Sequence, residues 1–263
     1  MANKQKKGNK IIWRVLLVIS IVVILACIGY FVFIFTGNRM SDSEKDNYKS
    51  TQTTVAENSA KTSQKAESTI DFSKLKSVNS DVIGWLNVDG TDIDYPVLRP
   101  ETKGDAYYLD HTYKCEYSAA GAIYAEKKNS PEFLDPVTVL YGHNWTSNGY
   151  FRPLYKFKDA DFFEKNKYMY ITTPEKKLKY EIYAAYEYDD RHILNTFDFT
   201  QKSVLEEYLQ TTLNPVSLLK NVRKGVSLNA DSKILTLSTC MSGKENSRYL
   251  VQGVLVDTQN FDN

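Results

Sequence analysis

Leu235-Thr236-Leu237-Ser238-Thr239-Cys240 is the stretch on which the reading of this chain turns. Its leucines and β-branched residues read as a short strand, with a cysteine at the far end. The flexible Met241-Ser242-Gly243-Lys244 follows. A thiol at a strand terminus can reach solvent and a substrate, whereas one in mid-strand usually cannot. Side chains alternate along a strand, so Thr236, Ser238 and Cys240 share a face. The stretch alone leaves two readings open, because free cysteine is also among the most buried residue types.

Working outward, the neighbouring segments also read as strands. Val82–Val88 runs into Asp89-Gly90, a hairpin signal, and then Ile93–Leu98. Gly121–Ala125 and Val137–Tyr141 are compact β-type runs, and Tyr168–Thr172 and Lys179–Tyr186 alternate polar with apolar or aromatic residues. The cysteine stretch and Tyr249–Val256 complete the set. Two segments break the rhythm. Phe72, Leu75 and Val78 are spaced as on a short amphipathic helix. Val204, Leu205, Tyr208, Leu209 and Leu213 form a helical stripe, with Thr200 as N-cap and Asn214-Pro215 as stop. About eight short strands with one inserted helix predict a mostly antiparallel, closed or nearly closed β-barrel. There is no internal repeat, Gly-rich phosphate loop or dinucleotide pattern.

Before this body lies an apolar run of 21 residues, Val15–Phe35, long enough as a helix to span about 30 Å of hydrocarbon. Signal-peptide apolar regions are shorter and end in a small-x-small site, whereas this run closes on Phe31-Val32-Phe33-Ile34-Phe35. A retained single-pass membrane anchor is therefore expected. Lys4, Lys6, Lys7, Lys10 and Arg14 all precede it, with no acid in residues 1–36. The positive-inside rule then puts the N-terminus in the cytoplasm and the rest of the chain outside the cell. Removing those five from 33 basic residues leaves 28 against 32 acidic, a formal −4 on residues 37–263. That balance argues against nucleic acid as a partner. Ser41–Ser68 is Ser-, Thr-, Lys- and Glu-rich, with Val55 its only aliphatic residue larger than alanine. A flexible extracellular linker is expected there. The domain scheme is thus residues 1–36 as tail and anchor, 37–69 as linker and 70–263 as folded domain.

Cys27 falls within the apolar run, leaving Cys115 and Cys240 in the exported part. A body of this size does not need disulfides, and Cys115 reads as incidental. Of the three histidines, His111 and His192 sit among polar or charged neighbours and read as surface residues. His143 instead follows the buried-looking strand Val137–Tyr141, in Tyr141-Gly142-His143-Asn144. The glycine lets the backbone turn and leaves room beside the imidazole. A structural histidine remains an alternative on this pattern.

No zinc or calcium ligand spacing is present, so no metal or other cofactor is expected. A Gly-x-Ser-x-Gly elbow is also missing. Cys240, His143 and a nearby cation remain. Arg248 stands eight residues after Cys240, where two strands joined by a short loop can bring both side chains to one end of a sheet. A positive neighbour favours the reactive thiolate. A histidine can protonate a leaving amine, and an arginine can offer donors to an oxyanion. Lys244 is nearer in sequence, but arginine is always charged and has a fixed fork of donors.

Thr236-Leu237-Ser238-Thr239-Cys240 resembles the TLxTC signature of sortases. Tyr141-Gly142-His143 resembles that family's strand-end histidine, and Arg248 matches its downstream arginine. The helix near 200–213 and the segment Phe72–Leu86, with Val82-Ile83-Gly84-Trp85-Leu86, are similar to class B sortases. The resemblance covers about Ile70–Asp257. It implies an eight-stranded sortase-type barrel and a membrane-anchored cysteine transpeptidase of Gram-positive bacteria. Cys240 would attack the carbonyl after threonine in a surface protein's C-terminal sorting signal. An amine of the peptidoglycan precursor would resolve the thioester. His143 would serve as general acid and then base, Arg248 would hold substrate or oxyanion, and Ser238 and Tyr141 would contact substrate. Met241 stands where some relatives carry an acid, so no role is carried over to it. An L,D-transpeptidase would place Ser-His-Gly before its cysteine, and Ser238-Thr239 does not match. An inactive barrel that only binds wall polymers or surface proteins is the remaining alternative.

Overall fold

The computed structural model describes residues 2–36, 45–49, 68–144, 149–241 and 243–261. The chain divides into two compact units, residues 1–39 and 40–263. The first is a helix, α1 (Ala2–Thr36). Its stretch Trp13–Tyr30 has a mean hydropathy of 2.4, and by length and composition it can cross a membrane. All its side chains from Trp13 to Tyr30 are exposed, as an apolar helix surrounded by lipid would be.

The second unit is a β-barrel. Its elements in chain order are α2 (Phe72–Val78), β1 (Val82–Val88), β2 (Asp94–Leu98), β3 (Ile123–Ala125), β4 (Val137–Tyr141), α3 (Ala160–Lys165), β5 (Tyr168–Thr172) and β6 (Lys176–Asp189). They continue with α4 (Ile193–Thr196), α5 (Lys202–Leu213), β7 (Lys220–Val222), β8 (Ile234–Met241) and β9 (Lys244–Asn260). Hydrogen bonding runs β5-β1-β2-β3-β4-β8-β9-β6, and a further β5–β6 pairing closes the ring of eight strands. Closure removes the exposed edges that an open sheet would present. Two pairs, β2–β3 and β4–β8, are parallel, and the others are antiparallel. The ninth strand, β7, pairs with β6 outside the ring. Its three residues, Lys220-Asn221-Val222, are too few to show alternation, so no strand was expected there.

Alternation along β8 explains the layering. Leu235 and Leu237 point inward with Leu140, Ile182 and Val251 and fill the barrel. Ile234 and the neighbouring Val139 and Leu250 point outward, into a second apolar cluster under Leu205, Tyr208 and Leu209 of α5. The predicted stripe on α5 is therefore the face that covers the barrel. Its start differs from expectation: Gln201 is the N-cap, and the Thr200 hydroxyl donates to Asp198 instead. Between helix and barrel lies buried Gln252. Its carbonyl accepts from Tyr186 at 2.9 Å, and its amide donates to Tyr208 at 3.0 Å and Thr236 at 2.9 Å. The outer layer is thus pinned by a saturated polar knot as well as by apolar contact.

Two local expectations are corrected. In α2, Phe72 and Leu75 are buried but Val78 is exposed. Residues 45–49, within the stretch expected to be a linker, pack on the barrel. Tyr48 is buried edge-on to Tyr113, Lys45 lies over the Tyr95 ring, and Lys49 pairs with Asp94. Counting aliphatic residues alone passed over Tyr48, which supplies the apolar surface that holds this segment. The rest of residues 37–67 lies outside the described residues.

Candidate active site

Strand pairing assembles the site. β4 runs parallel to β8 with Tyr141 opposite Ser238, and Gly142 donates its N–H to the Ser238 carbonyl at 3.2 Å. His143 therefore leaves β4 beside the end of β8. On the other side, Cys240 of β8 lies directly opposite Arg248 of β9, at the last regular rung before the register shifts. Cys240, His143, Arg248, Ser238 and Tyr141 all line one pocket of about 250 Å³. Cys240 is exposed, His143 and Arg248 are half-buried, and Ser238 is nearly covered. The pocket opens on the outer face of the barrel, where Thr236, Ser238 and Cys240 point. Thr236 is sealed beneath α5, whereas Cys240 lies beyond that cover.

Gly142 is required for a reason other than the one anticipated. A Cβ there would come within 2.7 Å of the Phe151 ring, so the space is taken by Phe151. The imidazole is held from elsewhere. Its Nε2 donates to the carbonyl of Leu109 at 2.7 Å, at the end of a 3-10 turn, Tyr107–Leu109. That turn is braced by Gly121, whose φ is +60°. A Cβ on Gly121 would meet the Tyr108 carbonyl at 2.5 Å, so only glycine fits.

Across the pocket stands a pair missed in the sequence. His192, expected to be a solvated surface residue, bonds Glu126 through Nε2 at 2.7 Å and lies 3.5 Å from the Tyr141 hydroxyl. Both residues line the pocket. Glu126 follows strand β3 directly, on the face of Tyr124, so a strand-end acid was a usable signal; His192 had none. Burial, reinforced by the Glu126 charge, pushes the Tyr124 and Tyr141 hydroxyls well above the usual phenol range. Both are therefore neutral donors at any physiological pH.

The other candidates are drawn elsewhere. The Lys244 ammonium is bonded to both Glu187 oxygens, at 2.6 and 2.9 Å. His111 stacks on Tyr107 and bonds its carbonyl. Cys115 lies 3.5 Å from the Lys103 ammonium, away from the pocket.

An exposed thiol, an imidazole and a guanidinium thus meet at one strand end, on the outside of an eight-stranded barrel. The sortase-domain family matches residues 86–256, which spans the barrel from β1 to β9. The chain belongs to the sortase family. It is 32% identical over 236 residues to sortase B of Listeria monocytogenes, covering 86% of this chain and 92% of that one. It is also 28% identical over 169 residues to sortase B of Staphylococcus aureus, covering 64% and 67%. The X-ray structure of Clostridium perfringens sortase B superposes with a TM-score of 0.64 at 32% identity, over 71% of this chain and all of that one. This sortase is accordingly a cysteine transpeptidase of the cell wall, and its relatives are class B enzymes. Its apolar helix is consistent with a single-pass anchor in an enzyme family that acts at the cell surface on sorting-signal proteins and peptidoglycan precursors.

Proposed function

We propose that Cys240 is the nucleophile, His143 the general acid and base, and Arg248 the oxyanion or substrate clamp. The observation that carries this reading is the cross-strand pairing of Cys240 with Arg248, with His143 in the same pocket. The Cys240 thiolate attacks the carbonyl after threonine in a C-terminal sorting signal. Negative charge develops on the carbonyl oxygen, where the Arg248 guanidinium offers fixed donors. His143 protonates the departing amine, leaving an acyl thioester on Cys240. An amine of the peptidoglycan precursor then gives up a proton to His143 and attacks the thioester. The new amide forms and the thiolate is released. Ser238 and Tyr141, on the same pocket wall, contact the peptide; Tyr141 does so as a neutral donor.

The chain organisation belongs to the same proposal. Residues 1–36 are a cytoplasmic basic tail and membrane anchor, 37–69 a linker that docks through residues 45–49, and 70–263 the extracellular catalytic domain. The full-length protein in detergent, given a peptide with an (S/N)PxTx-type signal and a short amine acceptor, is expected to yield the ligated peptide. Cys240→Ala should lower that rate on the order of 10⁴-fold or more. Equal turnover by the variant overturns the assignment. Peptide binding without cleavage by the wild type favours a barrel that only binds.

A further inference from the structure

Carbonyls two apart along a strand point to the same neighbour. On β8, the Ser238 carbonyl faces β4 and is taken by Gly142 N–H at 3.2 Å. The next carbonyl on that edge is that of Cys240. β4 has ended at Tyr141, and among the described residues no backbone neighbour continues the ladder. On the other edge, the β8–β9 register breaks between Cys240 and Met241. Cys240 is thus the last residue of β8 in regular register with β9, and on its β4 side the ladder has already ended.

A side chain takes over. The Tyr155 hydroxyl donates to the Cys240 carbonyl at 2.9 Å and accepts from Asn144 Nδ2 at 2.8 Å. Arg152 in turn donates to Asn144 Oδ1 at 3.1 Å. Asn144 directly follows His143, whose own carbonyl accepts from Phe151 N–H at 3.1 Å. The Tyr155 ring is fixed as well: it meets the buried Tyr249 edge-on, and the Lys158 ammonium lies 3.8 Å from its centroid. Tyr155 belongs to the 3-10 segment Arg152–Lys158, whose Leu154 and Phe157 are fully buried. The hydroxyl therefore stands on a rigid base.

The geometry points to Tyr155 as a positioning residue for the transpeptidation: its hydroxyl ties the Cys240 carbonyl to the side chain of Asn144, the residue after His143, and so sets the separation of Cys240 and His143. This rests on the assignment of Cys240 and His143 made above. Tyr155 is not among the residues that line the pocket. Its effect belongs to the chemical step, because a displacement of about 1 Å between reacting groups can cost on the order of 100-fold in rate.

The test uses full-length protein in detergent. Tyr155→Phe keeps the ring and removes the hydroxyl. Its kcat on the signal peptide should fall about 10–100-fold with KM held within about twofold. Asn144→Leu, which leaves the Tyr155–Cys240 bond, should lose less. The double variant should be no slower than Tyr155→Phe alone, since the two act as one unit. A kcat within about twofold of wild type in folded Tyr155→Phe, a loss confined to KM, or multiplicative losses in the double variant overturns the proposal. If Tyr155→Phe does not fold, Asn144→Leu decides it, and an unchanged kcat is the overturning result. The rate of Cys240 alkylation by iodoacetamide, read by mass spectrometry, needs no peptide. It should change several-fold in Tyr155→Phe, and an unchanged rate overturns the proposal. A wild type that leaves the peptide intact counts against the transpeptidase assignment, and alkylation then still tests the strut.

Discussion

The two faces of β8 are both covered over most of their length, yet they do different work. Leu235 and Leu237 on the inner face are fully buried in the barrel. Ile234, Thr236 and Ser238 on the outer face are buried too, the first two beneath a separate layer built by α5. The difference comes at Cys240, where the outer layer stops and the ladder loosens while the inner core continues through Tyr249 and Met241. A closed small barrel has an interior just large enough for its own side chains. Any chemistry has to be built outside, on a face that a partial second layer shapes into a pocket. The inner face supplies rigidity and the outer face, past the end of its cover, supplies access.

Three substitutions would sharpen or break this contrast. The largest effect is expected at Arg248, beyond the cover. Arg248→Lys keeps the charge but not the fork of donors, and the turnover number should fall about 100–1000-fold. The thermal midpoint should stay close to wild type. Full activity in this variant would remove Arg248 from the mechanism and turn attention to Lys244. On the inner face, Leu237→Ala should cost about 2–5 kcal/mol in chemical denaturation, from lost burial plus the cavity left behind. Catalysis below the unfolding transition should remain near normal, and a large loss there would show that the inner core tunes the pocket directly. Smallest is Gln252→Ala, on the outer face but under α5. It removes the Gln252 partner from the hydroxyls of Tyr186, Tyr208 and Thr236 and should destabilise by about 1–3 kcal/mol, again by denaturant titration. A midpoint unchanged by this substitution would mean that apolar contact alone holds the helix layer.

The contrast also explains what was readable in advance. Strand alternation placed Thr236, Ser238 and Cys240 on one face, and eight β-type runs announced the eight strands of the ring; the structure has both, with β7 added outside the ring. The stripe on α5 was visible because helical spacing is local. The jobs of Gly142 and Thr200 were misread, because what sits beside each comes from elsewhere: Phe151 against Gly142, and Asp198 under the Thr200 hydroxyl. Tyr48 was hidden in a polar stretch for a similar reason, since its burial depends on Tyr113. Leu109 and Tyr155 could not be found from local pattern. The first acts through a backbone carbonyl, which carries no residue signature, and the second bonds a carbonyl 85 positions away.

By itself, then, the sequence determined the periodic features: the apolar helix, the strands, the covering helix, and a cysteine at a strand end with an arginine one hairpin later. These follow from the alternation and spacing of side chains along a single segment. Tertiary structure decided which strands became neighbours, that the ring closed, and that β4 ended beside β8 so that His143 shares a pocket with Cys240. It also decided which groups hold that pocket in shape, through Leu109, Glu126, His192 and Tyr155. Contacts between distant segments depend on the closure of the whole barrel, and no local pattern of residues encodes that.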